Sequence, residues 1–358
     1  MLTHMCVLLG LMSLTAVASG QNGSRWVRAG RDVDRPVWGL REGIMVGIWP
    51  GAIGGDGFGG PRGLIRVGYP LGQPRSHRLV NFIAIEPDVG DGHWRGLSEL
   101  EMSALDGARG KRFTAEPPPG REEWSADKGW YPGLLDHPEA APGVERLRVC
   151  VRVERFDNGA HPYLVLTLRS DRPDEVMIEA FHEADSQAMR SCVLTATMGN
   201  YARLRRAYLA EGKVALAGEL WPGHKGDGFA PFRSFPRPQL ARMADGSVIV
   251  PMECDEGNPS ANWPHDPSIW WRWPNEKVTQ YWRKPGDSLS DSLEFAANGR
   301  AVYWGSRGLT LPGGVAFENT ELREPYRAGQ AVVFGVTRRA PRDVLADLTA
   351  SPAAASPR

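Results

Sequence analysis

From residue 145 onward, apolar and polar side chains alternate. In ERLRVCVRVERF, 145–156, Leu147, Val149, Val151 and Val153 fall on one side and Arg146, Arg148, Cys150 and Arg152 on the other. A period of two marks a β-strand with one buried face. Asn158-Gly159 follows as a hairpin turn signal, and PYLVLTLRS, 162–170, is the expected partner strand. DEVMIEAFH, 174–182, and SCVLTATMG, 191–199, read as further strands. DGSVIVPMEC, KVTQYWRKP, RAVYWG, GGVAFENTELREP and QAVVFGVTRR continue the pattern at short intervals. YARLRRAYLA, 201–210, is open to a second reading, because Leu204 and Tyr208 also stand at helical spacing.

The first third of the chain is less regular. WGLREGIMVGIWP, 38–50, predicts one or two strands; LIRVGYP, 64–70, and LVNFIAIEP, 79–87, predict one each. GAIGGDGFGGPRG, 51–63, is a glycine loop without the GK[ST] of a phosphate-binding loop, and no helical pattern follows it. GLSELEMSALDG, 96–107, predicts a strand or a short helix. The Pro-, Gly- and charge-rich stretch 115–143 reads as a linker or a long surface loop. No repeat of fixed period is present. The expectation is all-β, a large antiparallel β-sandwich of two sheets with few helices, over residues 35–340.

The ends differ from this body. CVLLGLMSLTAV, 6–17, is uncharged, apolar and too short to span a bilayer, and Ala16-Val17-Ala18 fits a cleavage site. Residues 1–20 therefore read as a signal peptide, 21–34 as an N-terminal extension, and 341–358 as a disordered tail, with a helical turn expected near Asp343–Leu348. The expected location is secreted or periplasmic, with no membrane attachment after signal removal. Cys6 leaves with the signal, so Cys150, Cys192 and Cys254 allow at most one internal disulfide. All three lie in apolar segments, where a buried, inert thiol is expected.

Lys plus Arg and Asp plus Glu number 42 each, so no net basic field favours nucleic acid. The 42 Gly and 29 Pro, spread along the chain, suit many short strands joined by turns. Five of the 13 Trp fall within 262–286, more than a core usually needs, and an exposed aromatic face can stack on a sugar ring. Two segments concentrate aromatics and charge. GELWPGHKGDGFAPFRSFP, 218–236, carries Trp221, His224, Lys225, Asp227 and Arg233. NWPHDPSIWWRWPNEKVTQYWRKPG, 262–286, carries Trp270, Trp271, Gln280, Tyr281, Trp282 and Arg283. Either segment could line a cleft or close the end of a core.

Two chemistries are open. Tyr with His or Arg equips β-elimination in uronate polymers: a cation or amide neutralises the carboxylate, a base removes the C5 proton, and Tyr protonates the leaving oxygen. Tyr201, His182, Arg203, His224 and Arg283 are the candidate set. Glycoside hydrolysis instead needs two carboxyl groups about 5–9 Å apart. Glu86, Glu99, Glu101, Asp106, Glu219, Asp227, Glu318 and Glu321 are available, and Glu99 and Glu101 on a strand would share a face at about 7 Å. No cofactor and no zinc motif is indicated; structural calcium is compatible with the carboxylates, though no EF-hand loop occurs. No GxSxG elbow supports a serine hydrolase.

GGVAFENTELREPYRAGQAVVFGV resembles the closing strands of secreted β-sandwich carbohydrate-active proteins, and NFIAIEP resembles part of the large mutarotase-like sandwiches. These matches cover under a tenth of the chain and imply a fold, with carbohydrate as the substrate class. The expected function is a secreted enzyme cleaving an extracellular polysaccharide or oligosaccharide, foremost a lyase on an acidic glycan. A glycoside hydrolase and a non-catalytic carbohydrate-binding sandwich are the alternatives.

Overall fold

The computed structural model describes residues 24–54, 60–90, 92, 94–121, 124–125, 127, 129–254, 276–303 and 308–346. The expected signal peptide, most of the expected tail, and Trp270 and Trp271 lie outside the described residues.

The described residues form twenty strands. The first five are β1 (Trp26–Arg28), β2 (Val37–Leu40), β3 (Met45–Gly47), β4 (Leu64–Leu71) and β5 (Ser76–Asp88). Next come β6 (Phe113–Glu116), β7 (Leu134–Asp136), β8 (Arg146–Val153), β9 (Pro162–Arg169) and β10 (Arg172–His182). Then follow β11 (Ser191–Ala196), β12 (Leu204–Tyr208), β13 (Val214–Leu216), β14 (Ala230–Pro236) and β15 (Ala241–Arg242). The last are β16 (Val248–Cys254), β17 (Thr279–Lys284), β18 (Glu294–Arg300), β19 (Ala316–Arg323) and β20 (Gln330–Thr337). Two short α-helices, α1 (Ala217–Leu220) and α2 (Pro341–Ala346), occur among the described residues.

Sheet I has nine strands in the order β1-β2-β3-β4-β5-β11-β19-β18-β14. Sheet II has eleven: nine run β13-β12-β16-β17-β20-β10-β9-β8-β6, while β15 pairs with β16 and β7 with β8. Every described strand pair is antiparallel. The chain changes sheets repeatedly, and one continuous apolar core joins residues of both. This is the expected all-β sandwich.

The period-two pattern explains the core. Leu147, Val149 and Val151 of β8 and Leu164, Leu166 and Leu168 of β9 are buried. Polar contacts cross between the sheets, Tyr69 of β4 donating to Asp174 of β10 at 2.7 Å among them. Asn81 on β5 donates through Nδ2 to Oε1 of Gln280 on β17 at 2.8 Å. The Trp282 indole donates to the Thr320 carbonyl at 3.0 Å. Alternation therefore turns Phe82, Ala84 and Glu86 to the far face of sheet I, and Tyr281 and Arg283 to the far face of sheet II.

Several expectations change. The 201–210 segment contributes strand β12, so the helical alternative does not hold. The 96–107 segment is a run of turns rather than a strand or helix. The 115–143 stretch is not wholly loop, since it holds the end of β6 and all of β7. The 21–34 segment carries β1, which pairs with β2 and closes an edge of sheet I. Cys150, Cys192 and Cys254 are all buried, with no disulfide among them.

Candidate functional site

The outer face of sheet I holds a cavity of about 420 Å³. Leu64 of β4, Phe82 and Glu86 of β5, Thr197 and Met198 after β11, and Glu318 and Asn319 of β19 form its floor. Arg95, Leu97, Glu99, Leu100 and Arg109 wall one side, and Phe229 and Phe232 the other. Among the described residues, no side chain of sheet II lines it.

The wall from 95 to 111 is turn-rich yet firmly tied. The Gly96 and Ser98 amides donate to the Pro87 and Ile85 carbonyls, extending the hydrogen bonding of β5. The Ser98 hydroxyl donates to Gly63 at 2.6 Å and accepts from the Ile85 amide at 2.9 Å. Gly63 has φ +73°, and a Cβ there would meet the Ser98 carbonyl oxygen at 1.9 Å. Only glycine allows that approach. Lys111 is buried and binds the Met102 carbonyl, Glu101 and Asp157, which closes the base of the wall.

A β-bulge supplies the floor. Gly299 pairs with Phe317 and Ala297 with Thr320, so Glu318 and Asn319 together face Asn298. Phe317 and Thr320 both turn inward, onto Trp221 and Trp282 respectively. The extra residue brings Glu318 to the same outer face as Asn319 and Glu321. The neighbouring strand does the same: β14 pairs through Ala230 and Arg233 with a shift between them, which leaves Phe232 on the cavity side. Asn298 accepts the Asn319 amide at 3.0 Å and fixes the bulge.

Four glutamates surround this floor. Arg95 lies 2.7 Å from Glu86 and donates two bonds of 3.1 Å to Glu321. Glu321 also accepts from the Thr195 hydroxyl at 2.6 Å and from Arg323 at 2.5 Å. One guanidinium thus serves two carboxyl groups. Burial pushes the Glu86 carboxyl up to about 8; Arg95 opposes this, and Glu321 and Glu99 add to it. Burial likewise raises Glu99, and raises Glu318 well above the ordinary carboxylate range with Arg300 in partial opposition. Oε2 of Glu99 and Oε2 of Glu318 are buried without a hydrogen-bond partner. The arrangement can hold protons at neutral pH and release them to a bound group. Arg323 lies 4.3 Å from the Phe232 ring centre and Arg300 lies 5.0 Å from that of Phe229, so cations back both rim aromatics.

The residues expected from sequence to carry β-elimination are dispersed. Tyr201 and Arg203 are buried after β11 and share one neighbour, Tyr303. His182 ends β10 and meets the Tyr326 hydroxyl at 2.9 Å. His224 lies in the loop after α1, with Nε2 3.1 Å from the Gly228 carbonyl. Arg283 is on the far face of sheet II, bound to Glu175. None of the five lines the cavity. Of the expected binding residues, Trp221 and Trp282 are core side chains and Gln280 is buried between the sheets. Tyr281 is buried beside Ile249 and Val344. Lys225, Asp227 and Arg233 are exposed, and Arg233 stands across from Ala297, away from the cavity.

Of the candidate carboxylates, Glu86, Glu99 and Glu318 come together, with Glu321 behind them. Glu101 turns away to Lys111 and to the Leu97 and Asp157 amides, so the expected Glu99–Glu101 pair does not form. Arg95, Thr195 and Asn319 were not singled out by sequence, whereas Phe229 and Phe232 belong to the aromatic 218–236 segment that was. The chain matches no protein-family model, no curated protein and no solved structure.

Proposed function

We propose that this chain is an exported carbohydrate-active enzyme that cleaves a glycosidic bond by acid–base chemistry at the carboxylate cavity. The observation that carries the reading is the set of three glutamates, buried Glu86 and Glu318 and half-buried Glu99, with raised pKa values around one open cavity rimmed by exposed aromatics. Glycosidic cleavage needs a carboxyl group that keeps its proton near neutral pH and a second carboxylate beside it.

Glu318 is the proton donor in this reading. Its Oε2 proton passes to the glycosidic oxygen as the bond from that oxygen to C1 breaks and the oxygen keeps the electron pair. Arg300 then stabilises the carboxylate left behind. Glu86, ionised and stabilised by Arg95, is the partner carboxylate: it takes a proton from a water molecule whose oxygen bonds to C1 as the old C1–O bond breaks. The positive charge that develops on the sugar ring favours that ionisation. Phe229 and Phe232 offer faces for the sugar rings. This reading takes the hydrolytic alternative over the lyase, because the described cavity lining contains carboxylates and arginines but neither Tyr nor His.

The test is incubation with neutral and acidic polysaccharides, following reducing ends and absorbance at 235 nm together. Reducing ends rising alone are expected. Rising absorbance at 235 nm would mean an unsaturated uronate product, hence elimination. Binding with no cleavage of any polysaccharide would leave a carbohydrate-binding protein.

A further inference from the structure

A second depression, about 520 Å³, adjoins the carboxylate cavity. Gly92, Trp94, Arg95, Leu97, Leu100, Glu101, Asp157 and Asn158 line it, and Arg95, Leu97 and Leu100 also line the first cavity. The two therefore lie on opposite sides of one wall. Trp94 is 89% exposed, the only exposed Trp among the described residues. Leaving so large an apolar ring in water is unfavourable, since burial of its surface is worth roughly 25 cal/mol per Å².

The backbone of Trp94 is nevertheless held. Asn158 donates to the Trp94 carbonyl at 3.1 Å and to the Pro87 carbonyl at 2.9 Å, and accepts the Ala160 amide. Beside it, Asp157 binds the buried Lys111 through Oδ1 at 2.9 Å while its side chain stays 70% exposed. Glu101 is used up by Lys111 and two backbone amides, so Asp157 is the open acceptor of this depression. An aromatic face with one carboxylate beside it matches a sugar ring, which presents an apolar C–H face and hydroxyl donors at its edge.

We propose that this second depression is a sugar-binding subsite, with Trp94 as stacking platform and Asp157 as hydroxyl acceptor. A saccharide chain then crosses the wall at Arg95 and places its next units in the carboxylate cavity. The substrate is thereby an oligosaccharide or polysaccharide rather than a single glycoside. The oligosaccharide claim rests on the carboxylate cavity being the place of cleavage; the sugar-binding claim does not.

The test uses the full protein, Glu318→Gln, and Trp94→Ala and Trp94→Phe made in both backgrounds. The probes are cello-, xylo-, manno- and galacturono-oligosaccharides of roughly two to six sugars, with the matching p-nitrophenyl monosaccharides. Calorimetry on Glu318→Gln is expected to show affinity rising with chain length. Trp94→Ala should weaken the longer oligosaccharides about three- to tenfold, leave the monosaccharide glycosides unchanged, and be largely rescued by Trp94→Phe. In cleavage, KM for long substrates rises while kcat on the aryl monosaccharide holds. Equal affinity of Trp94→Ala and its parent for every oligosaccharide that binds overturns the subsite. Trp94-dependent binding without any cleavage keeps the subsite and removes the hydrolytic reading. Glu318-dependent cleavage that ignores Trp94 does the reverse, and neither binding nor cleavage removes both.

Discussion

Replacing Glu86 by Gln keeps the shape of the side chain and removes its ionisation. Burial favours the protonated carboxyl in the folded state, whose pKa is pushed from 4.5 up to about 8. Folding therefore gains from the bound proton, in full below pH 4.5. That gain is lost as pH rises through about 8, at about 1.4 kcal/mol per pH unit. By pH 7 the wild type has lost roughly 3 kcal/mol relative to pH 4.5, and above pH 8 roughly 5 kcal/mol. Gln escapes this loss. Urea unfolding at pH 5, 6, 7, 8 and 9, followed by tryptophan fluorescence, reads the difference directly. The two proteins should be similar near pH 5, and Glu86→Gln should become the more stable by a growing margin up to pH 8. If Glu86→Gln is instead the less stable at pH 8, the carboxylate is ionised and held by Arg95 as a structural ion pair. Burial would then not outweigh Arg95, and Glu86 would stand ionised without a bound sugar.

Three further outcomes are expected. Gly63→Ala should destabilise by about 2 kcal/mol or more in thermal unfolding and impair the cavity wall, because φ +73° and the 1.9 Å approach to Ser98 leave no room for a methyl group; unchanged stability would contradict the docking of that wall. Lys284, buried on β17 against Glu324, should cost about 3 kcal/mol as Lys284→Met in urea unfolding, and the double variant with Glu324→Leu should recover most of it. Burial pushes the Cys150 and Cys192 thiols up to about 12, so neither should react with a disulfide reagent at pH 8 until the protein is unfolded.

The sandwich was legible because burial on one face leaves a period-two trace. Leu147, Val149 and Val151 alternate with Arg146, Arg148 and Arg152, and the structure buries the apolar set. Hydrophobic patterning is local, and strands are local. The site is not. Glu86 sits in LVNFIAIEP, a run apolar apart from Asn81 and Glu86 itself, which shows burial without saying what covers it. Simple alternation in AFENTELR would place Glu318 and Glu321 on opposite faces, and only the bulge opposite Asn298 unites them. Arg95 reaches Glu321 across more than two hundred residues of chain. Aromatic density misdirected the reading, because Trp221 and Trp282 serve the core while Trp94, in an unremarked turn, stands in water.

The most direct test of the carboxylate cavity compares cleavage rates, on one polysaccharide the wild type degrades, for Glu318→Gln, Tyr201→Phe and His182→Ala. Glu318→Gln should lower kcat by about a hundredfold or more while keeping the fold, since it removes a general acid. Tyr201→Phe and His182→Ala should stay within about threefold of wild type, because neither residue reaches the cavity. Full activity in Glu318→Gln, with loss in Tyr201→Phe or His182→Ala, would contradict the account and move the chemistry off the outer face of sheet I.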